Sequence, residues 1–207
     1  MLYTVAKSIL GAVVRLLFRV TVKGASNVPD EGPVVLCANH IAWWDPVVVA
    51  VSVKRPVHFM AKKELFRFRI LARLFRKLYA FPVDRGKPDL AAVKNALGVL
   101  QEGHVLGIFP EGTRQKDKDH LGEMHAGAAL FALKTGAKVV PAAIRSTYRP
   151  GSPVVLVFGE SFTLQGRTGK MSVDMEEGAR VIEDAIYRLW QNAKEESGVA
   201  ARGVRSC

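Results

Sequence analysis

Short apolar runs bounded by turn residues alternate along this chain with segments of helical periodicity. The apolar runs predict strands at residues 34–38, 57–60, 81–83, 105–109, 138–144 and 154–158. The periodic segments predict helices at residues 46–53, 64–78, 89–100, 126–134 and 173–194. Strands that alternate with helices predict an α/β layered domain, with a mixed, largely parallel central sheet flanked by helices.

The first twenty residues form a largely apolar segment that Lys7, Arg15 and Arg19 interrupt. No uncharged run approaches the roughly 20 residues of a membrane-spanning helix, and no small-residue cleavage pattern of a signal peptide follows. On a helical wheel the three basic residues share one polar strip, and apolar residues cover most of the remaining surface. The pattern predicts an amphipathic membrane-surface helix at residues 1–20. The alternative is a helix that packs on the domain's own core.

The charge balance points to an anionic partner. Thirty Lys and Arg against nineteen Asp and Glu give a net charge of +11, which suits nucleic acid, anionic lipid headgroups or a phosphorylated substrate. The two cysteines, Cys37 and Cys207, have neither the number nor the spacing of a metal site or a disulfide framework, which favours a reducing cytoplasm. We expect one domain at residues 21–197 and a disordered basic tail at residues 198–207.

A histidine and an aspartate stand five residues apart where a predicted strand ends and the next helix begins. His40 and Asp45 would not meet on a continuous helix, but a strand-to-helix turn allows the carboxylate to return to the imidazole. A carboxylate on one ring nitrogen fixes the tautomer, and the other nitrogen can then take a proton from a hydroxyl. No Ser or Cys nucleophile stands nearby, so the hydroxyl is expected to belong to the substrate. A capping Asp45 and a structural His40 are the alternative.

A second polar cluster, Phe-Pro-Glu-Gly-Thr-Arg at residues 109–114, follows another buried strand. Ligands bind at such strand ends in α/β sheets. Gly112 permits close backbone approach, Arg114 carries a fork of donors suited to phosphate, and Glu111 adds a polar anchor. An ordinary charged turn is the alternative. Two more segments have similar placement: Phe-Pro-Val-Asp-Arg at residues 81–85 and Val-Val-Pro at residues 139–141.

These four segments, in this order, resemble the glycerophospholipid acyltransferase family, and most closely its 1-acylglycerol-3-phosphate acyltransferases. The family's order is Asn-His-x-x-x-x-Asp, then Phe-x-x-Asp-Arg, then Phe-Pro-Glu-Gly-Thr-Arg, then a Val-Pro strand. Residues 61–65 also look like the family's Ala-Lys-x-Glu-Leu segment, and the resemblance covers about residues 20–159. One difference is the His-Ala-Gly-Ala sequence at residues 125–128, where relatives often have Lys-Lys-Gly-Ala.

The resemblance implies transfer of a fatty acyl group from acyl-CoA or acyl-carrier protein to the sn-2 hydroxyl of 1-acyl-glycerol-3-phosphate, giving phosphatidic acid. His40 would be the general base and Asp45 its orienting partner, with no covalent acyl-enzyme. The residues implied to bind substrate are Glu111, Gly112, Thr113, Arg114, Arg85 and Lys62, with Pro141 on the acyl side. Backbone N–H groups are the expected oxyanion donors. Neither a metal nor a cofactor is expected, because the thioester is already activated.

A lipid acceptor predicts peripheral or monotopic attachment to the cytoplasmic face of the cell membrane. Residues 1–20 and the basic segment 62–77 would contact anionic lipid. Glycerol-3-phosphate or another lysophospholipid is the alternative acceptor. A nucleic-acid-binding protein and a catalytically silent lipid-binding protein are alternatives of another class. We expect no nucleic-acid partner, because no recognised binding module occurs in the sequence.

The remaining histidines and two tryptophans carry weaker signals. No partner stands at informative spacing from the histidines, which predicts structural or solvated roles for His58, His104, His120 and His125. For Trp43 and Trp44 three locations remain as alternatives: a membrane interface, a position that covers the His40–Asp45 pair, and the core.

Overall fold

A seven-stranded sheet with helices on both faces makes up this protein. The computed structural model describes residues 2–84, 86–115, 117 and 120–196. The strands are β1 (Arg19–Lys23), β2 (Val34–Ala38), β3 (Val57–Lys62), β4 (Ala80–Val83), β5 (Val105–Ile108), β6 (Lys138–Ser146) and β7 (Pro153–Phe158). The α-helices are α1 (Leu2–Leu17), α2 (Asp45–Ser52), α3 (Arg69–Lys77), α4 (Leu90–Gln101), α5 (Gly127–Thr135) and α6 (Met171–Glu196).

The strand order is β1-β7-β6-β2-β5-β3-β4. Each neighbouring pair is parallel except β6 and β7, which are antiparallel, so the predicted mixed, largely parallel sheet is confirmed. β2 lies between β5 and β6, and all five of its residues are buried, as expected for a parallel strand covered on both faces. The parallel pairing of β2 with β5 places their carboxyl ends side by side, which brings the two polar motifs together.

Two apolar clusters fill the space between the sheet and its helices. Along β2, Val34 and Leu36 face the cluster that contains α1 and α2, whereas Val35 and Cys37 face the cluster that contains α4, α5 and α6. This alternation follows from the two-residue repeat of a strand. The side of the sheet on which a residue lies therefore decides which helices it contacts.

Two predicted elements differ from the structure. The helix expected at residues 64–78 is divided into a 3₁₀ turn at Lys63–Phe66 and helix α3, because Phe68 between them has extended backbone angles. Strand β1 was not predicted. It is an edge strand with four of its five residues exposed, so it lacks the buried apolar run by which the other strands were found.

Helix α1 ends at Leu17, short of the predicted residue 20, because the chain enters β1 at Arg19 and pairs there with β7. The helix packs against α2 through Gly11, and Lys7 Nζ donates to the backbone carbonyls of Val53 and Lys54. Part of the predicted polar strip therefore faces the protein and not lipid headgroups. Among the described residues, no helix combines the length and apolar character needed to cross a membrane. The predicted tail at residues 198–207 lies outside the described residues.

Candidate active site

The turn between β2 and α2 brings His40 and Asp45 into direct contact. His40 Nδ1 lies 2.8 Å from Asp45 Oδ2, and both side chains are buried. The backbone N–H groups of Ile41 and Ala42 donate to the same oxygen at 2.6 and 2.7 Å. Asp45 therefore closes the turn and contacts the imidazole with the same oxygen. Helix α2 begins at Asp45, with Trp44 at the N-cap position, and Asp45 accepts from N–H groups that precede the helix, so it does not cap α2 as the sequence predicted. With Nδ1–H donating to the carboxylate, Nε2 is left unprotonated and able to accept a proton.

Two residues to which the sequence had given no role hold this turn in place. The Asn39 side chain exchanges two hydrogen bonds with the backbone of Ile144, at 3.0 and 2.7 Å, which ties the end of β2 to β6. The Tyr148 hydroxyl donates to Asp45 Oδ1 at 2.7 Å. Asn39 lies inside the recognised motif and could have been singled out there. Tyr148 lies 103 residues from Asp45, and no local pattern marks it.

A stack of aromatic rings supports the imidazole. The His40 ring lies 4.2 Å from the Phe109 ring, with 20° between their planes, and Phe109 in turn stacks on Phe59 at 5.9 Å. The Phe59 ring lies across Gly107 of β5, where a Cβ atom would approach it to 2.3 Å. A glycine at this position therefore gives Phe59 the room to support Phe109. The sequence gave no sign of this arrangement.

The loop after β5 is bonded to the histidine turn. The backbone N–H of Gln115 donates to the His40 carbonyl at 2.8 Å, and that of His125 donates to the Pro110 carbonyl at 3.0 Å. Gly112 has φ of 66°, a left-handed conformation that glycine adopts without strain. These bonds hold Arg114 beside the His40–Asp45 turn, where its guanidinium lies 3.9 Å over the Trp43 ring.

Glu111 is a buried carboxyl group in the same loop. It is 3% exposed, and neither of its oxygens has a well-aligned hydrogen-bond partner among the described residues. Burial raises its pKa to about 7, opposed by the nearby His40 backbone N–H and the Gln115 amide. Because an unpaired buried carboxylate is costly, the site favours the neutral form of Glu111 or a ligand that bonds to it.

A cavity of about 900 Å³ opens beside His40. One end is polar and is lined by His40, Lys62, Glu111, Gly112, Thr113 and Arg114. The rest is mostly apolar and passes between α1, α2, β3 and α3, where its wall includes Leu10, Val47, Phe59, Leu65, Phe75 and Leu78. The cavity thus joins a histidine base and cationic side chains to a space suited to hydrocarbon.

The structure brings most of the predicted substrate-binding residues to this cavity, but not all of them. Lys62 lines it from the end of β3, with Nζ 3.5 Å from the Glu64 carboxylate. Arg85 lies outside the described residues. Pro141, predicted to lie on the acyl side, is not among the described residues that line this cavity. Pro141 alternates along β6 with Val140 and Ala142, which face α1 and α2, and its own ring lies near Leu189 of α6 on the opposite side of the sheet.

The other histidines and the tryptophans occupy varied positions. His58 and His104 stack with 5.1 Å between their rings, and exposed His120 lies 2.8 Å from Asp117. His125, predicted to be structural or solvated, is exposed and lines the cavity next to Gly112. Trp44 packs edge-on against Phe18 in the core, whereas Trp43 is 65% exposed at the cavity.

Comparisons with known proteins agree with this geometry. A sequence model of the acyltransferase family matches residues 19–145. The 1-acyl-sn-glycerol-3-phosphate acyltransferase of Bacillus subtilis (strain 168) is 34% identical, over 69% of this chain and 70% of that protein. The enzyme of the same name from Streptococcus pneumoniae (strain ATCC BAA-255 / R6) is 32% identical, over 90% of this chain and 72% of that protein.

The fold also has a solved counterpart. The crystal structure of the 1-acyl-sn-glycerophosphate (LPA) acyltransferase PlsC from Thermotoga maritima superposes with a TM-score of 0.71 at 22% identity, covering 90% of this chain and 79% of that one. The family match contains the His40–Asp45 turn, the loop at residues 109–114 and the strands that place them. This chain therefore belongs to the acyltransferase family and is similar to its 1-acyl-sn-glycerol-3-phosphate acyltransferases.

Proposed function

We propose that this protein transfers a fatty acyl group from a thioester carrier to the sn-2 hydroxyl of 1-acyl-glycerol-3-phosphate, giving phosphatidic acid. The observation that carries the proposal is the buried His40–Asp45 pair, with 2.8 Å between Nδ1 and Oδ2, at the polar end of a largely apolar cavity. The activities named for the Bacillus and Streptococcus relatives support the choice of acceptor.

In the proposed mechanism His40 acts as a general base. Its Nε2 takes the proton of the acceptor hydroxyl while the hydroxyl oxygen attacks the thioester carbonyl, and Asp45 stabilises the imidazolium that forms. The tetrahedral intermediate collapses with cleavage of the carbon–sulfur bond. The leaving thiolate then takes that proton from His40, which returns the ring to its neutral form. The acceptor oxygen is the nucleophile, so no acyl-enzyme forms.

The polar end of the cavity suits the acceptor's phosphate. Arg114 offers a planar fork of N–H donors and Lys62 a second positive charge at the same end. Glu111 would repel a phosphate if it were ionised. Burial raises the pKa of Glu111 to about 7, so a large share of it is neutral near neutral pH and that repulsion is reduced.

The apolar part of the cavity suits an acyl chain. The whole cavity has a volume of about 900 Å³, within the range of roughly 300–1,000 Å³ typical of sites that enclose small ligands. Helix α1 forms one wall through Ala6 and Leu10. We therefore assign α1 a part in the substrate site as well as a surface role.

The outer faces of α1 and α3 support attachment to a membrane surface. Apolar side chains are exposed on both helices, at Leu2, Val5, Ile9 and Leu16 and at Ile70, Leu71 and Leu74. The Tyr3 ring of α1 lies 5.1 Å from the ring of Tyr79, which follows the end of α3. Basic residues accompany the apolar ones on α3. Apolar side chains beside cations suit an anionic bilayer surface. We place the protein peripherally on the cytoplasmic face of the cell membrane.

A transfer assay with radiolabelled acyl-CoA or acyl-carrier protein tests the proposed function. The acceptors are 1-acyl-glycerol-3-phosphate, glycerol-3-phosphate and lysophosphatidylcholine, and the products are separated by thin-layer chromatography. We expect labelled phosphatidic acid from the first acceptor at the highest kcat/KM. Faster transfer to glycerol-3-phosphate would favour the alternative acceptor. No transfer to any acceptor from either carrier would favour a silent lipid-binding protein.

A further inference from the structure

The orienting carboxylate of Asp45 is held at both of its oxygens by different parts of the chain. Oδ2 accepts from His40 and from the backbone of the turn after β2. Oδ1 accepts from the Tyr148 hydroxyl at 2.7 Å, and Tyr148 lies in the loop after β6. A carboxylate bonded at both oxygens cannot rotate about its Cβ–Cγ bond without breaking a hydrogen bond.

The backbone of Tyr148 has a strained conformation, in which its hydroxyl reaches Asp45. Its φ of 53° lies in the left-handed region, which a bulky side chain rarely adopts unless its surroundings impose it. The backbone N–H of Tyr148 donates to Ser146 Oγ at 2.8 Å, and Ser146 Oγ donates to the Pro153 carbonyl at 2.9 Å. The ring packs edge-on against Phe18, with 5.3 Å between centroids. Strain at a residue that contacts the candidate catalytic carboxylate suggests a role in function.

The tyrosine hydroxyl is suited to donate and remain neutral. Burial and the neighbouring Asp45 carboxylate raise the pKa of Tyr148 well above its usual range. A neutral phenol that donates to a carboxylate disperses part of the negative charge and fixes the group's orientation. The same carboxylate faces the His40 ring, so its charge and its angle both affect how the ring takes up a proton.

We propose that Tyr148 is a positioning residue for the His40–Asp45 pair. It acts through Asp45 by holding the carboxylate toward the imidazole, and it is not part of the cavity wall in the described residues. The proposal rests on the general-base role proposed above for His40. It adds a third member, from the loop after β6, to a pair that lies within one short turn.

The first test replaces Tyr148 by Phe, which keeps the ring and its packing on Phe18. We expect Tyr148→Phe to lower kcat about tenfold, as for loss of a hydrogen bond to a charged group, with both KM values within about twofold of wild type. Tyr187→Phe, which removes a hydroxyl from an exposed tyrosine on α6, should leave kcat unchanged. Wild-type kcat in a folded Tyr148→Phe protein would overturn the proposal.

A double-mutant cycle separates positioning from a general structural effect. If Tyr148 acts through Asp45, then Tyr148→Phe should cost less than about twofold in kcat when added to Asp45→Asn. A further tenfold loss in that background would show that Tyr148 acts by another route and would overturn the proposal.

An NMR titration tests the proposal without relying on transfer activity. Removing the phenol leaves more of the Asp45 charge facing His40, so the midpoint of the His40 ring titration should move to higher pH in Tyr148→Phe. Glu111, which approaches His40 from the loop after β5, is the same in both proteins, and His40→Ala assigns the signals. An unmoved midpoint would reject the positioning role. If the midpoint moves in Tyr148→Phe but the wild-type protein transfers no acyl group, the role of Tyr148 is supported and the proposed function is rejected.

Discussion

The guanidinium of Arg114 lies 3.9 Å above the centre of the Trp43 ring. Trp43 belongs to the turn after β2 and Arg114 to the loop after β5, so this contact joins the two motifs that were recognised separately in the sequence. A guanidinium that stacks on an aromatic face keeps its in-plane N–H donors available to a ligand. Trp43 thus holds Arg114 at the cavity and leaves its in-plane N–H donors open.

Replacing Arg114 by Ala should raise the KM for 1-acyl-glycerol-3-phosphate about tenfold or more and change the KM for the acyl thioester little. The reason is that a charge-assisted fork is lost for one substrate only. Arg114→Lys should restore part of the affinity, because Lys keeps the charge without the fork. The control is Arg188→Ala, which removes an exposed guanidinium from α6. A larger rise in the KM for the thioester would assign Arg114 to the donor.

Replacing His40 by Ala should lower kcat at least about 10²-fold, the usual loss when general-base catalysis is removed. Asp45→Asn should also be severe, because it removes the carboxylate that orients the ring. The control is His104→Ala. His104 directly precedes β5, and its ring is not part of the cavity wall in the described part of the chain. Circular dichroism checks the fold of each variant. A folded His40→Ala protein with near-normal turnover would contradict the mechanism.

Replacing Gly107 by Ala should destabilise the protein by about 1–3 kcal/mol, the usual cost of overpacking a core, and should lower kcat as well. The added Cβ would lie 2.3 Å from the Phe59 ring, so Phe59 must move and Phe109 loses its support beneath His40. The matched control is Gly98→Ala in α4, where nothing lies within 4 Å of the new Cβ and helix propensity predicts a gain of up to about 1 kcal/mol. Urea unfolding measures the stability of both variants. Equal stability of the two variants would refute the packing argument.

The raised pKa of Glu111 predicts a pH dependence of stability. Its pKa is about 7 in the folded protein and near 4.5 in a solvated chain, so between these values the folded state binds more protons than the unfolded one. Stability from this group is therefore lost as pH rises from about 4.5 to 7, by up to about 3 kcal/mol. Glu111→Gln cannot ionise, so wild type should become less stable relative to this variant across that window. A pH-independent difference between their urea midpoints would show that folding does not raise the pKa of Glu111.

Replacing exposed apolar residues on the outer face of α1 should weaken membrane binding without unfolding the domain. Ile9→Ser and Leu16→Ser remove side chains that are 58% and 86% exposed, and sedimentation with vesicles containing phosphatidylglycerol measures the effect. High salt should weaken only the electrostatic part of binding. The control is Leu90→Ser on α4, also exposed. Unchanged sedimentation of the variant that carries both Ile9→Ser and Leu16→Ser would show that this face does not contact lipid. Deleting residues 1–20 is a poorer test, because the inner face of α1 closes the cavity.

Elements with strong local signals were predictable from sequence. The bounds of β2 match the prediction, Asp89 caps α4 by accepting from the Ala92 N–H, and Gly136 ends α5 in a left-handed conformation. Caps, turns and buried apolar runs depend on neighbours within a few residues. Strand β1 was missed because an exposed edge strand carries little of that local signal.

The sequence by itself determined the α/β architecture and the positions of His40, Asp45 and residues 109–114 at strand ends, since both depend on local periodicity and on turn residues. Only the tertiary structure decided that Tyr148 bonds to Asp45, that Lys7 faces α2, and that Pro141 lies on the far side of the sheet. Strand order and helix placement bring together residues more than a hundred positions apart. A periodic pattern shows that a side chain is buried, but the packing of distant elements decides which side chain it meets.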